Sequence, residues 1–136
     1  CNPEPPTSCK GTSGKDRIVG SSRADNIFAL GDADSVNGRG GDDLVKGGSG
    51  DDLPGQGPGR LDGGVGDDTV MGGLGEDTVI DPAGSDSDKL FGGPEADLVY
   101  GVDGDNRDTL NCGPGIDFFD ADPGDKVNLD TCEKPL

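Results

Sequence analysis

GGVGDDTVM (residues 63–71) runs directly into GGLGEDTVI (72–80). The two nonapeptides share glycine at positions 1, 2 and 4, aspartate at position 6 (Asp68, Asp77) and valine at position 8 (Val70, Val79). No helix and no ordinary strand needs a period of nine, and self-similarity at a fixed period marks a solenoid. The glycines permit a turn with positive φ and close backbone approach. The aspartate falls where the turn ends, and the last three residues read as a short strand with one inward apolar side chain. Each nonapeptide is thus half a coil.

Outward from this pair the frame extends from residue 11 to 128 as thirteen half-coils. On the N-terminal side they are GTSGKDRIV (11–19), GSSRADNIF (20–28), ALGDADSVN (29–37), GRGGDDLVK (38–46), GGSGDDLPG (47–55) and a shortened QGPGRLD (56–62). On the C-terminal side follow DPAGSDSDKLF (81–91) and GVDGDNRDTLN (101–111), each two residues too long and separated by GGPEADLVY (92–100). CGPGIDFFD (112–120) and ADPGDKVN (121–128) complete the roll. Alternation puts the units beginning at 11, 29, 47, 63, 81, 101 and 121 on one side and those beginning at 20, 38, 56, 72, 92 and 112 on the other. The unit 56–62 then leaves a gap in its aspartate ladder between Asp43 and Asp77. The two long units are neighbours, so their extra acids Asp81, Asp86, Asp103 and Asp105 bulge out together.

Composition agrees with a thin, laddered core. The 136 residues include 27 glycines, 29% hydrophobic residues, no Trp and one Tyr, which leaves an ordinary thick core out of reach. The inward column is Ile18, Ile27, Val36, Val45, Leu61, Val70, Val79, Leu90, Val99, Leu110, Phe119 and Val127, with Pro54 as its one defect. A net charge of −17, from 28 acids against 11 bases, argues against nucleic acid or an anionic membrane as partner and for bound cations. With no histidine, an ordinary zinc or copper site is excluded. Carboxylates and backbone carbonyls are hard oxygen ligands of the calcium type. An EF-hand is excluded too, since DADSVNG (32–38) and DGDNRD (103–108) lack its glycine, its closing glutamate and flanking helices.

Four cysteines fall in two terminal pairs and admit any of three connectivities. A solenoid holds its ends apart, which favours Cys1–Cys9 and Cys112–Cys132. Residues 1–10 then form a disulfide-closed N-terminal cap, 11–128 the roll, and 129–136 a C-terminal tail tied back by Cys132. Disulfides imply an oxidising, extracytoplasmic setting. A chain beginning at cysteine reads as a processed product, with lipidation of Cys1 as the competing reading.

These units resemble the RTX, or haemolysin-type, calcium-binding nonapeptide GGxGxDxUx. The end, DTLNCGPGIDFFDADPGDKVNLDTCE, is similar to small secreted bacterial proteins of that family in which two cysteines bracket the last coil. The resemblance implies an all-β, right-handed parallel β-roll of the RTX type, secreted from bacteria, that folds on calcium. The ligand aspartates it implies are Asp16, Asp25, Asp34, Asp43, Asp52, Asp68, Asp77, Asp88, Asp97, Asp108, Asp117 and Asp125.

Parallel strands stack at about 4.8 Å, and at an effective dielectric of about 20 two unit charges that close repel by roughly 3 kcal/mol. A ladder of such pairs opposes folding until divalent ions bridge it. About eight calcium ions would offset the net charge of −17. On the outer faces, Ile80, Leu98, Tyr100 and Phe118 form a candidate contact surface, and Met71 and Phe91 are neighbours on the opposite sheet. No catalytic constellation is visible, so the expectation is a non-enzymatic, secreted calcium-binding roll with a structural or interaction role. The alternatives are a subunit of an extracellular filament or surface assembly and a stability or secretion module of a larger protein.

Overall fold

A computed structural model describes residues 7–52, 60–82, 84–105 and 107–136, with Thr7 described for its backbone alone. The chain winds through two parallel seven-stranded sheets. One sheet holds, in order, β1 (Thr7–Lys10), β3 (Asp25–Gly31), β5 (Leu44–Ser49), β7 (Thr69–Leu74), β9 (Lys89–Phe91), β11 (Thr109–Asn111) and β13 (Lys126–Val127). The other holds β2 (Arg17–Val19), β4 (Ser35–Gly40), β6 (Arg60–Val65), β8 (Thr78–Ile80), β10 (Leu98–Gly101), β12 (Phe118–Ala121) and β14 (Lys134–Pro135). Successive strands alternate between sheets, so the molecule is an all-β parallel solenoid of about six turns.

Side chains alternate across each short strand, so the residue at position 8 points between the sheets. Ile27, Val45, Val70, Leu90 and Leu110 line up from one sheet, and Val36, Leu61, Val79, Val99 and Phe119 from the other. All ten are buried, and Ile18 and Val127 pack against them at the two ends. Cys9 and the Cys112–Cys132 disulfide close the column. Cys9 carries no free thiol, and its expected partner Cys1 lies outside the described residues.

The strand frame departs from the sequence expectation at one place. Residues 47–62 make one half-coil, not two, because Val36 pairs in register with Leu61, and Val45 with Val70. The strand after turn 47–52 is β6, and Leu61 takes the inward place. Proline has no N–H to give a ladder, and Pro54 lies outside the described residues, as does the rest of 53–59. The side assignment therefore shifts: the strands after turns 11 and 29 share a sheet with those of 72, 92 and 112, while 20 and 38 belong with 63, 81, 101 and 121.

The outer face differs as well. Ile80 is 8% exposed, because it stands in a row between Asp62 and Tyr100, whose strands pair with its own on both sides. Leu98 and Tyr100 are half-buried, and Phe118, the exposed member, lies under the Lys134 ammonium at 5.2 Å. Met71 and Phe91 are register neighbours on the opposite sheet. No helix among the described residues is long and apolar enough to cross a membrane.

Candidate metal centres

Each turn ends on its position-6 aspartate, and stacking the coils turns these residues into two continuous ladders. Along one edge the backbone N–H of Asp16 donates to Asp34 Oδ1 at 2.8 Å, Asp34 to Asp52 at 2.6 Å, Asp52 to Asp77 at 3.0 Å, Asp77 to Asp97 at 2.8 Å and Asp97 to Asp117 at 2.8 Å. Along the other, Asp25 donates to Asp43 at 2.8 Å, Asp43 to Asp68 at 2.6 Å, Asp68 to Asp88 at 2.8 Å, Asp88 to Asp108 at 3.0 Å and Asp108 to Asp125 at 3.1 Å. All twelve aspartates singled out in the sequence stand in these ladders. The expected gap between Asp43 and Asp77 is absent, because Asp43 is followed by Asp68 on its own edge and Asp77 belongs to the other.

Sequence reasoning missed one rung. The N–H of Asp117 donates to Glu133 Oε2 at 3.1 Å, so a glutamate continues the first ladder into the C-terminal tail. Its only signal in the sequence was an acid placed just before the strand Lys134–Pro135.

In the central rungs Oδ1 braces the neighbouring coil and Oδ2 is the chemically open oxygen. The Oδ2 atoms of Asp34, Asp43, Asp68, Asp77, Asp88, Asp97, Asp108 and Asp117 are buried and have no hydrogen-bond partner, in residues no more than 3% exposed. A buried carboxylate oxygen without a partner costs free energy unless it is protonated or held by a cation. Burial, opposed by the bracing N–H and reinforced by neighbouring carboxylates, pushes Asp77 and Asp88 up to about 8, Asp68 and Asp97 to about 7, and Asp43, Asp52 and Asp108 to about 6. Asp34, Asp117 and Asp125 are raised for the same first reason.

The glycines at position 1 bring backbone oxygens to the same place. A methyl on Gly72 would sit 2.5 Å from Asp77 Oδ2 and against the carbonyl of Gly92 in the next coil. A methyl on Gly92 would similarly meet Asp97 Oδ2 and the carbonyl of Cys112. The open carboxylate oxygen of one coil and a carbonyl of the next thus converge on a spot that only a glycine leaves clear. Hard oxygen donors, anionic and neutral together, are the ligand set that suits Ca2+.

At turn 63–68 the pattern changes. The group facing Gly63 is the carboxylate of Asp81, not a glycine carbonyl. Asp68, Asp81 and Asp88 bring oxygens within 4.8 Å of one another, and all three are buried. Asp81 therefore does not bulge outward as the sequence suggested; it occupies position 1 of its turn, where its side chain turns in. Asp86, Asp103 and Asp105 do lie together at the long turns.

A family profile described as the RTX calcium-binding nonapeptide repeat matches the chain in four copies, over residues 10–45, 19–53, 55–79 and 83–119. The chain belongs to this family. Calcium binding by the stacked turns is thereby the property of the fold, and RTX repeats are typical of secreted bacterial proteins. No curated protein and no solved structure matches the chain.

The ends of the RTX roll treat their carboxylates differently from its middle. Asp16 Oδ2 accepts hydrogen bonds from the N–H and the hydroxyl of Thr12. Asp25 Oδ2 accepts from the N–H of Ser21 at 2.6 Å, and Asp125 Oδ2 from the N–H of Asp122 at 2.8 Å. In these three aspartates Oδ2 is engaged within its own turn, whereas the central ones leave it open; Asp25 keeps its other oxygen, Oδ1, buried without a partner among the described residues.

Proposed function

We propose that this protein is a secreted roll that folds on binding several calcium ions, and that its role outside the cell is structural or interactive, with no catalysis of its own. One observation carries the reading: eight buried carboxylate oxygens, in register along two edges, have no partner among the described residues. A bare ladder of this kind stores repulsion between neighbouring rungs, whereas an ion placed between rungs takes oxygens from both. Binding free energy is then folding free energy, because the ligand set forms only when the coils stack. Calcium supplies charge compensation; the chain supplies Oδ2 atoms from adjacent coils and the carbonyls that converge at the position-1 glycines.

The open Oδ2 atoms set the expected stoichiometry. Asp34, Asp77, Asp97 and Asp117 supply them on one edge and Asp43, Asp68, Asp88 and Asp108 on the other; Asp52 is a further candidate ligand in the first row, and Asp16, Asp25 and Asp125 are terminal rungs. About eight ions are expected, on the charge argument as well. The test is size-exclusion chromatography of the disulfide-intact protein in calcium and in chelator. A compact species that expands on chelation and recompacts on adding calcium back supports the reading, and one hydrodynamic radius in both buffers contradicts it.

A further inference from the structure

The lengthened turns have no place in the nonapeptide scheme. Their two extra residues apiece deliver Asp86, Asp103 and Asp105, none of which is a position-6 rung. Two carboxylate triads result: Asp86, Asp88 and Asp103, and Asp103, Asp105 and Asp108, with the ligand atoms of each triad within 4.8 Å of one another. Asp103 belongs to both.

Each added carboxylate is fixed by one oxygen and open at the other. Asp86 Oδ2 accepts the N–H of Gly66 at 2.7 Å, Asp103 Oδ1 that of Asp105 at 2.9 Å, and Asp105 Oδ1 that of Arg107 at 2.8 Å. The remaining oxygens, Asp86 Oδ1, Asp103 Oδ2 and Asp105 Oδ2, are buried without a partner. So are the Oδ2 atoms of Asp88, 1% exposed, and Asp108, fully buried. Acids alone crowd together on many surfaces. Here two of them are almost wholly withdrawn from water and carry open oxygens within reach of the added ones.

The turns are also held in place. Asp122 Oδ2 in the following coil takes the N–H groups of Asp103 and Gly104, at 3.2 and 2.8 Å. Arg107 ties the long turns together by donating to the carbonyl of Ser85 at 3.1 Å. Among the described residues, no basic group pairs with Asp86, Asp103 or Asp105, so the nearest candidate for neutralising them is an ion.

We propose that the two lengthened turns form a divalent-cation centre of their own, in addition to the ladder sites, with Asp86, Asp88, Asp103, Asp105 and Asp108 as ligands. The triads share Asp103 and borrow Asp88 and Asp108 from the ladder, so three carboxylates converge at each triad against the two that adjacent rungs give a ladder site, and affinity for a hard cation rises with ligand charge and rigidity. This centre fills before the ladder does. It rests on the calcium reading above only for the choice of ion.

The test is calorimetric titration of calcium into metal-stripped protein, for the natural chain and for the triple variant Asp86→Asn, Asp103→Asn and Asp105→Asn. The amide oxygen retains each backbone bond and the charge is gone. The expected result is at least one calcium fewer per chain and loss of the tightest class, with the midpoint of calcium-driven folding moved at least tenfold higher. Asp120→Asn, which removes a carboxylate from the other sheet's outer face, changes neither. An unaltered count and tightest affinity in the triple variant overturn the proposal. Should the triple variant fail to fold in saturating calcium, Asp103→Asn alone removes the residue common to both triads and is read the same way. A natural chain that takes up no calcium overturns the reading of the whole roll, whereas one that binds normally beside an unaltered variant overturns the added centre only.

Discussion

In GTSGKD (11–16) and GSSRAD (20–25), the Oδ2 atoms of Asp16 and Asp25 accept hydrogen bonds from Thr12 and Ser21. In GGVGDD (63–68) and GGLGED (72–77), the same atoms of Asp68 and Asp77 accept none. The backbone path is shared and the chemistry is not. Polar groups inside the first turns occupy the Oδ2 atoms that the later turns leave for a cation, with Asp25 Oδ1 left buried and open there, so dependence on calcium is graded along one roll and least at Asp16. The glycines follow the same gradient. A methyl at Gly14 would meet nothing nearer than Thr12 Oγ1 at 4.0 Å. At the same repeat position, Gly75 has φ +119° and a methyl would lie 2.5 Å from the carbonyl oxygen of Gly50.

The sharpest way to break this contrast is at those glycines. Gly75→Ala is expected to cost more than about 3 kcal/mol, since both the conformation and the space exclude a side chain. Gly14→Ala stays within about 0.5 kcal/mol; denaturant unfolding in saturating calcium measures both.

Next come the carboxylates. Asp77→Asn removes an open, buried ligand oxygen and raises the calcium concentration at half-folding by about tenfold or more. Asp16→Asn, where the oxygen is already bonded to Thr12, moves it by less than about twofold. Equal shifts in a circular dichroism titration would contradict the graded account.

Acid sharpens the comparison without mutation. Asp77 and Asp88 are pushed up to about 8, and Asp68 and Asp97 to about 7. Because these values lie above the usual carboxylate range, the folded chain binds more protons than the unfolded one between about pH 4 and 8. Without calcium, this contribution is fully present below pH 4 and lost as pH rises through 6 to 8. The metal-free protein should therefore gain structure on acidification, while apparent calcium affinity rises with pH over the same range. Thermal melts in chelator from pH 4.5 to 8.5 check the first, and calorimetry the second.

The smallest expected effect concerns Leu30, 40% exposed with φ +90° and in register with Gly48. Leu30→Gly relieves a conformation that costs about 1 kcal/mol in a non-glycine residue, and raises the denaturation midpoint slightly.

Much of this was legible before the structure. A period of nine fixes both the aspartates and the inward column, because a ladder demands the same residue type at each coil; hence Asp25 and Ile27 were readable in a turn with a single glycine. Residues 47–62 were not, since a seven-residue insertion beside a half-coil is nearly the length of another half-coil, and QGPGRLD offers an apolar Leu61 in frame. Asp81 was misplaced outward because a carboxylate at a glycine position can be turned in only when the neighbouring coil leaves room, a fact of stacking and not of sequence. The roles of Thr12 and Ser21 were hidden for the same reason. Their hydrogen bonds distinguish terminal rungs from central ones that carry the same aspartate.

The central claim is that cations satisfy the open oxygens of both ladders, and far-UV circular dichroism of metal-stripped, disulfide-intact protein during a calcium titration tests it most directly. A cooperative gain of β-structure with calcium and none with magnesium at equal concentration is the expected result. A spectrum already rich in β-structure in chelator at pH 8, and unmoved by calcium, would contradict the account.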